Sequence, residues 1–115
     1  MFDFEKLEVY QVGKDLNRDV LKFIFSNNEV DPYIKDHWKR CSISSVLHLS
    51  EGTGRVTDAD KKQLFTLARG SVFEAVTLLQ LVYDLGQIDE SKYTEFYNAY
   101  EKLSKMLLGM YRSKL

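Results

Sequence analysis

The feature that most constrains this chain is a long apolar stretch that follows a glycine-rich corner. The corner, residues 50–55, has the sequence SEGTGR, and the apolar stretch covers residues 57–85. Its apolar residues recur at three- and four-residue steps, which predicts an α-helix. They form two lines along that helix, whereas a helix against one core needs a single apolar stripe. Two lines predict a second buried face, and therefore a protein that works by association.

Small residues interrupt the apolar lines near their middle. The first line contains Leu64, Leu67, Ala68, Ser71, Ala75, Leu78, Val82 and Leu85, and the second contains Phe65, Val72, Phe73, Val76, Leu79 and Tyr83. Gly70 lies within the predicted helix, where glycine costs about 1 kcal/mol relative to alanine. Such a cost is usually tolerated where another backbone comes close. We therefore expect Gly70, with Ser71 beside it, to be a close-packing site.

Three further segments have helical periodicity: residues 4–25, residues 32–51, and a segment from Asp89 to near the C-terminus. Asp31 followed by Pro32 is a strong helix start, and Thr57 and Asp89 are suitable N-caps. Gly52 and Gly54 are expected to provide left-handed conformations at the corner. Four helices with short connections predict an all-α, antiparallel up-down-up-down four-helix bundle that is oligomeric.

Composition places the chain among ordinary globular proteins. Its 115 residues form one domain, residues 1–115, with 44% hydrophobic and 29% charged residues. A formal net charge of -1 provides no overall attraction for nucleic acid or anionic membranes. No apolar run reaches the length of a membrane span, no signal pattern begins the chain, and one cysteine excludes an internal disulfide. We expect a cytoplasmic protein that does not enter membranes.

Histidine and cysteine suggest no catalytic or metal site in the sequence alone. His37 and Cys41 are four residues apart and provide two ligands at most, while His48 lies about 16 Å further along the helix from His37. Without help from other helices the three cannot bind one metal. We therefore interpret Cys41 as a small buried thiol and expect no metal, no cofactor and no enzymatic activity.

Charged residues around the corner are interpreted as structural. Glu51 lies near a helix C-terminus, where a carboxylate opposes the helix dipole, so Arg55 or Arg69 is expected to compensate its charge. Arg69 and Glu74 bracket part of the long helix. The corner lacks the spacing of a phosphate-binding loop and has no preceding strand.

A second charged feature is a row of Lys14, Arg18 and Lys22 on the first helix. Asp15 and Asp19 form the adjacent row, so ion pairing within a solvated face is the favoured interpretation. Together with Lys39 and Arg40, the row is a candidate phosphate patch. We expect weak, non-specific nucleic-acid binding or none.

Four motifs resemble those of a known family, in the usual order. They are FEKLEVYQ at residues 4–11, SEGTGR at residues 50–55, LARGS at residues 67–71 and YDLGQI at residues 83–88. The chain resembles the bacterial four-helix-bundle family named for proteins encoded in intervening sequences of large-subunit ribosomal RNA genes. That family is similar to the accessory protein of diversity-generating retroelements, a pentameric ring that binds nucleic acid and a reverse transcriptase.

The resemblance implies an up-down bundle, a ring-shaped homopentamer and no enzymatic activity. It places family positions at Glu51, Gly52, Gly54 and Arg55, and at Arg69, Gly70, Ser71 and Glu74 on the long helix. The chain has Val46 and His48 where the family often has proline and asparagine. The predicted function is a non-catalytic, self-associating binding or accessory module. The alternative is a nucleic-acid-binding accessory protein, associated with ribosomal RNA or with a retroelement reverse transcriptase.

Overall fold

A computed structural model describes residues 1–113, which contain four α-helices and no strand. The helices are α1 (Glu8–Ser26), α2 (Pro32–Thr53), α3 (Asp58–Asp84) and α4 (Glu90–Arg112). A short 3-10 turn, Asp3–Lys6, precedes α1. Each helix packs side by side with two others: α1 and α3 both lie against α2 and α4.

Side-chain caps begin three of the helices, as the sequence predicts. The Asp31 carboxylate accepts hydrogen bonds from the backbone N–H groups of Tyr33 and Ile34, at 2.9 and 3.2 Å. Thr57 and Asp89 accept the corresponding bonds at the starts of α3 and α4. Each cap satisfies N–H groups that have no partner within the helix.

The N-terminal segment differs from the single helix predicted for residues 4–25. Leu7 has an extended backbone (φ -78°, ψ 131°), which separates the 3-10 turn from α1. The turn is held to α1 by its side chains, since Gln11 Nε2 donates to the carbonyl of Glu5 and the rings of Phe4 and Tyr10 meet edge to face. Helical periodicity does not indicate contacts of this kind between residues six positions apart.

The glycine corner also differs from its prediction. α2 continues through Gly52 to Thr53, and Gly54 has a φ of -88°. Among residues 1–113, Gly86 is the one glycine with a positive φ, at 71°, and it follows the end of α3. The expectation of left-handed conformations at Gly52 and Gly54 is therefore wrong. Gly52 is helical and buried.

The core lies between the four helices and is rich in aromatic residues. Its largest fully buried side chains are Trp38, Tyr100, Phe65 and Phe96. Trp38 Nε1 donates a hydrogen bond to the Tyr100 hydroxyl at 3.0 Å, joining α2 to α4 across the core. Buried indole and phenol groups need such partners, because an unpaired buried donor costs free energy.

Both apolar lines of α3 are partly buried and partly exposed. The buried members are Leu64, Ala68, Ala75 and Val82 from the first line, and Phe65, Val72 and Leu79 from the second. Leu67 and Leu85 from the first line remain exposed, as do Phe73 and Tyr83 from the second. One core therefore covers the middle of the apolar surface and leaves both of its edges in solvent.

α3 is long and apolar enough to cross a membrane by length and composition alone, which the run lengths in the sequence did not indicate. Its 27 residues include an 18-residue window of mean hydropathy 1.3, of which 44% is buried inside the protein. Core helices of soluble proteins share these two properties. α3 is in contact with both α2 and α4.

Candidate functional site

A cluster of three potential ligands forms where α2 meets α3. His37 and Cys41 come from consecutive turns of α2, and Glu74 comes from α3. One ligand atom from each residue lies within 4.8 Å of the other two. The Cys41 thiol donates to Glu74 Oε2 at 3.2 Å, and the same oxygen lies 3.5 Å from His37 Nε2.

The cluster has a buried side and an open side. Cys41 is only 3% exposed, whereas the side chains of His37 and Glu74 are 48% and 64% exposed. Burial, and to a lesser extent the neighbouring Glu74 carboxylate, raises the pKa of the Cys41 thiol to about 12. At neutral pH the thiol is therefore protonated. A protonated thiol is a poor nucleophile, which argues against cysteine-based catalysis.

Glu74 is the member of this cluster that sequence reasoning missed. The sequence predicts a structural role for Arg69 and Glu74, and Arg69 donates from Nε to the Ser104 carbonyl on α4 at 3.1 Å. The Arg69 guanidinium also lies 4.6 Å from the centre of the Phe73 ring. A usable indication was present, because an antiparallel helix hairpin brings the early part of its first helix against the late part of its second.

The corner itself contains a local ion pair. Arg55 Nη2 donates to Glu51 Oε2, and both side chains are about half exposed. Of the two predicted partners for Glu51, Arg55 is therefore the one in contact. Because both residues belong to the end of α2 and the turn after it, the pair does not connect α2 to α3. Exposed pairs of this kind contribute little stability.

Close contact between α2 and α3 occurs at Gly52 and Ser71 and not at Gly70. A Cβ at Gly52 would lie 2.8 Å from Phe65 Cε1, and the Ser44 and Ser71 hydroxyls form a 2.9 Å hydrogen bond. A Cβ at Gly70 would have no neighbour within 4 Å among the described residues. Within one chain, the prediction of close approach at Gly70 is wrong, because this face of α3 points away from the core.

The predicted basic row lies along a groove between α1 and α2. The α1–α2 groove is lined by Phe25, Ile43, Val46 and Leu47, with Lys14, Arg18 and Lys22 on its α1 side. Arg18 is paired with Asp15 and Asp19, and Arg40 with Asp36. Lys39 lies 5.8 Å from the Phe25 ring centre. The five basic residues are therefore not one free patch, since acids contact both arginines.

A second groove lies on the other helix pair. The α3–α4 groove is lined by Phe65, Phe73, Leu108 and Tyr111, and by Arg69 and Gly70. Phe73 is 52% exposed, and it also borders a neighbouring depression that includes Glu101. Gly70 therefore lies in an open groove, which is the structural reason for its exposure.

Comparison with known proteins identifies the family. No curated protein matches the chain. The family model described as 23S rRNA-intervening sequence protein matches residues 5–109, which include all four helical segments almost completely. The match covers the α2–α3 corner and the cluster of His37, Cys41 and Glu74. The chain therefore belongs to the 23S rRNA-intervening sequence protein family.

Proposed function

We propose that the protein is a non-catalytic accessory module that acts as a homo-oligomer of up-down-up-down four-helix bundles. The observation that supports self-association is that exposed apolar side chains are grouped in two separate grooves. Leu47 in the α1–α2 groove is 59% exposed, and Phe73 in the α3–α4 groove is 52% exposed. Grouped exposed apolar side chains are typical of protein interaction sites.

The order of contacts supports the antiparallel topology. His37, early in α2, contacts Glu74, late in α3, whereas Gly52 near the end of α2 lies against Phe65 near the start of α3. The connections between consecutive helices are short, with five, four and five residues in chain order. Short connections make consecutive helices antiparallel neighbours.

Two unlike grooves on different helix pairs favour head-to-tail association. In such a contact the α1–α2 groove of one copy meets the α3–α4 groove of the next, and a closed rotation produces a ring. Lys14 and Lys22 border the first groove, and Glu101, which is paired with Lys105 within α4, lies beside the second. The family resemblance suggests five copies in the ring.

The proposed module performs no catalysis and is cytoplasmic. The protonated state of the Cys41 thiol supports the absence of nucleophilic cysteine catalysis. The family name refers to 23S rRNA-intervening sequences, which supports an accessory role associated with ribosomal RNA. No membrane partner is proposed.

Light scattering coupled to size-exclusion chromatography tests the proposal. At micromolar concentration the purified protein is expected to elute as a discrete multimer whose mass is a whole multiple of 13.4 kDa. A monomer that persists as the concentration rises would contradict self-association. A multimer with another number of copies would support self-association and contradict the pentamer.

The alternative function is a nucleic-acid-binding accessory protein. It is favoured by Lys14, Lys22 and Lys39, for which the described residues provide no ion pair. Lys14 and Lys22 lie beside the α1–α2 groove, and a ring would repeat them around its circumference. Repetition of a weak site raises overall affinity. If the grooves are the ring contacts, however, these lysines lie at subunit boundaries.

A further inference from the structure

We propose that His37, Cys41 and Glu74 form a binding site for a divalent transition metal, with Zn²⁺ as the preferred ion. The proposal is independent of the oligomeric state, since all three residues belong to one chain. It rests on the identity of the donors, their separations, and the side of the cluster that faces solvent.

The donors form a set that suits zinc. Thiolate, imidazole and carboxylate are the three protein ligand types of Zn²⁺, and a mixed set of nitrogen, sulfur and oxygen donors favours a borderline metal over Mg²⁺ or Ca²⁺. Binding of the ion would displace the Cys41 thiol proton to solvent, so that the sulfur binds as a thiolate. His37 and Cys41 are four residues apart on α2, so both side chains lie on one face of the helix. Glu74 supplies a third donor from α3, which makes the site a link between two helices.

The separations between donor atoms are close to those of a tetrahedral site. Ligand–zinc bonds of about 2.0 to 2.3 Å place neighbouring donors roughly 3.3 to 3.7 Å apart. The Cys41 Sγ–Glu74 Oε2 distance is 3.2 Å, and the His37 Nε2–Glu74 Oε2 distance is 3.5 Å. All three donor atoms lie within 4.8 Å of one another.

Neighbouring contacts hold the two helices in register at the site. The hydrogen bond between Ser44 and Ser71 lies one turn further along α2 and one turn earlier in α3. Tyr33, one turn before His37, meets the imidazole edge to face, with ring centres 6.5 Å apart. Contacts that orient ligands in this way raise metal affinity because less ordering is needed on binding.

Three protein ligands leave one position of a tetrahedral ion open. Cys41 closes the inner side, while His37 and Glu74 are half exposed, so the fourth position faces solvent. Water or a donor from another molecule can take it. The bound ion would join α2 to α3 and stabilise the folded chain, since a ligand that binds only the native state raises the unfolding temperature.

Metal titration of the reduced, chelator-treated full chain tests the site. Zn²⁺ is titrated in competition with a chromophoric chelator, and Co²⁺ is used as a spectroscopic probe. We expect one Zn²⁺ per chain, a rise in unfolding temperature with Zn²⁺, and a Co²⁺ spectrum with a thiolate charge-transfer band. Because Cys41 is the only cysteine, that band would identify its sulfur as a ligand.

Single substitutions identify the other ligands. Cys41→Ser, His37→Gln and Glu74→Gln are each expected to weaken Zn²⁺ binding by about tenfold or more. His48→Gln and Glu51→Gln, matched changes elsewhere on α2, should leave the affinity unchanged. Circular dichroism checks that each variant is folded, and Zn²⁺-dependent stabilisation gives a second readout.

Two results would overturn the site. One is a folded wild-type chain that binds Zn²⁺ no more tightly than Cys41→Ser. The other is zinc affinity that survives both His37→Gln and Glu74→Gln, which would indicate binding at the cysteine alone. Light scattering of the same samples keeps this test separate from that of self-association. A protein that is multimeric but does not bind Zn²⁺ would reject only the metal site.

Discussion

Gly52 on α2 lies directly against the ring of Phe65 on α3. A Cβ at Gly52 would be 2.8 Å from Phe65 Cε1 and 3.1 Å from the Cβ of Leu64. The Phe65 ring is only 1% exposed. Glycine is therefore required here by the closeness of α3 and not by backbone conformation, because Gly52 is helical.

Gly52→Ala is expected to destabilise the protein. Overpacking of a core costs about 1–3 kcal/mol, which exceeds the gain of about 1 kcal/mol in helix propensity. Urea unfolding at low protein concentration measures the change. Gly70→Ala is the matched control, and it should stabilise the single chain by up to about 1 kcal/mol, because its Cβ meets no neighbour. Equal effects of the two substitutions would contradict the assigned contact.

The hydrogen bond between Trp38 and Tyr100 provides a second prediction. Tyr100→Phe removes the acceptor of a fully buried indole N–H and is expected to cost about 1–3 kcal/mol in the free energy of unfolding. Chemical denaturation followed by tryptophan fluorescence measures this cost. Tyr33→Phe, at an exposed position, should change stability by less than about 0.5 kcal/mol. A Tyr100→Phe protein of wild-type stability would show that the bond contributes nothing.

Tyr100 also predicts a loss of stability at alkaline pH. Burial raises the pKa of its hydroxyl from 10.0 to about 12. The unfolded chain therefore loses this proton at lower pH than the folded chain does. The contribution of this pKa difference to the free energy of unfolding is fully present below pH 10 and is lost between pH 10 and about 12. Unfolding free energies measured across this range should fall more steeply for the wild type than for Tyr100→Phe, and parallel curves would reject the assignment.

Helices could be predicted from the sequence because their determinants are local. Asp31, Thr57 and Asp89 cap their helices within three residues, and Gly86 follows the end of α3 with a positive φ. The extended conformation of Leu7 was not predictable in the same way. It depends on contacts between the 3-10 turn and α1, such as that of Phe4 with Tyr10.

The candidate site was less predictable because its members are distant in sequence. Periodicity brings His37 and Cys41 together, but Glu74 joins them from another helix. Only the register of α2 against α3 determines that meeting. The same register decides which glycine is a close contact, and it selects Gly52 over Gly70. Neither the position of Glu74 beside His37 and Cys41 nor the close contact at Gly52 can be predicted from the sequence of a single helix.

Charge substitutions in the two grooves test head-to-tail association. Leu47→Asp should block the α1–α2 groove and Phe73→Asp the α3–α4 groove, so each variant alone is expected to be monomeric. Burying an unpaired carboxylate in an apolar contact costs several kcal/mol. Thr94→Asp, on the exposed face of α4, is the control and should remain multimeric.

Mixing the two groove variants distinguishes head-to-tail from face-to-face contacts. Each variant retains the groove that the other has lost, so a one-to-one mixture should form a heterodimer through the single intact pair of grooves. Light scattering of the mixture measures its mass. If one variant alone still dimerises, the interface joins two copies of the same groove and the ring arrangement is wrong.

Nucleic-acid binding is expected to be weak or negligible at physiological salt. Affinity for polyanions needs several clustered basic side chains that acids do not oppose. Here Arg18 contacts Asp15 and Asp19, and Arg40 contacts Asp36, which leaves the lysines of the α1–α2 groove. Labelled RNA and DNA are titrated with the protein at about 50 and 200 mM salt.

The effects of salt and of two lysine substitutions show which contacts produce any binding in that titration. If the multimer repeats Lys14 and Lys22 around a ring, binding at low salt should fall by orders of magnitude at high salt. The double substitution of Lys14→Gln with Lys22→Gln should then weaken it, while Lys105→Gln on α4 should not. Tight binding that is insensitive to salt would contradict this prediction. It would indicate that exposed aromatic side chains such as Phe25 and Tyr33 stack on bases, because stacking, unlike phosphate contact, releases few counterions.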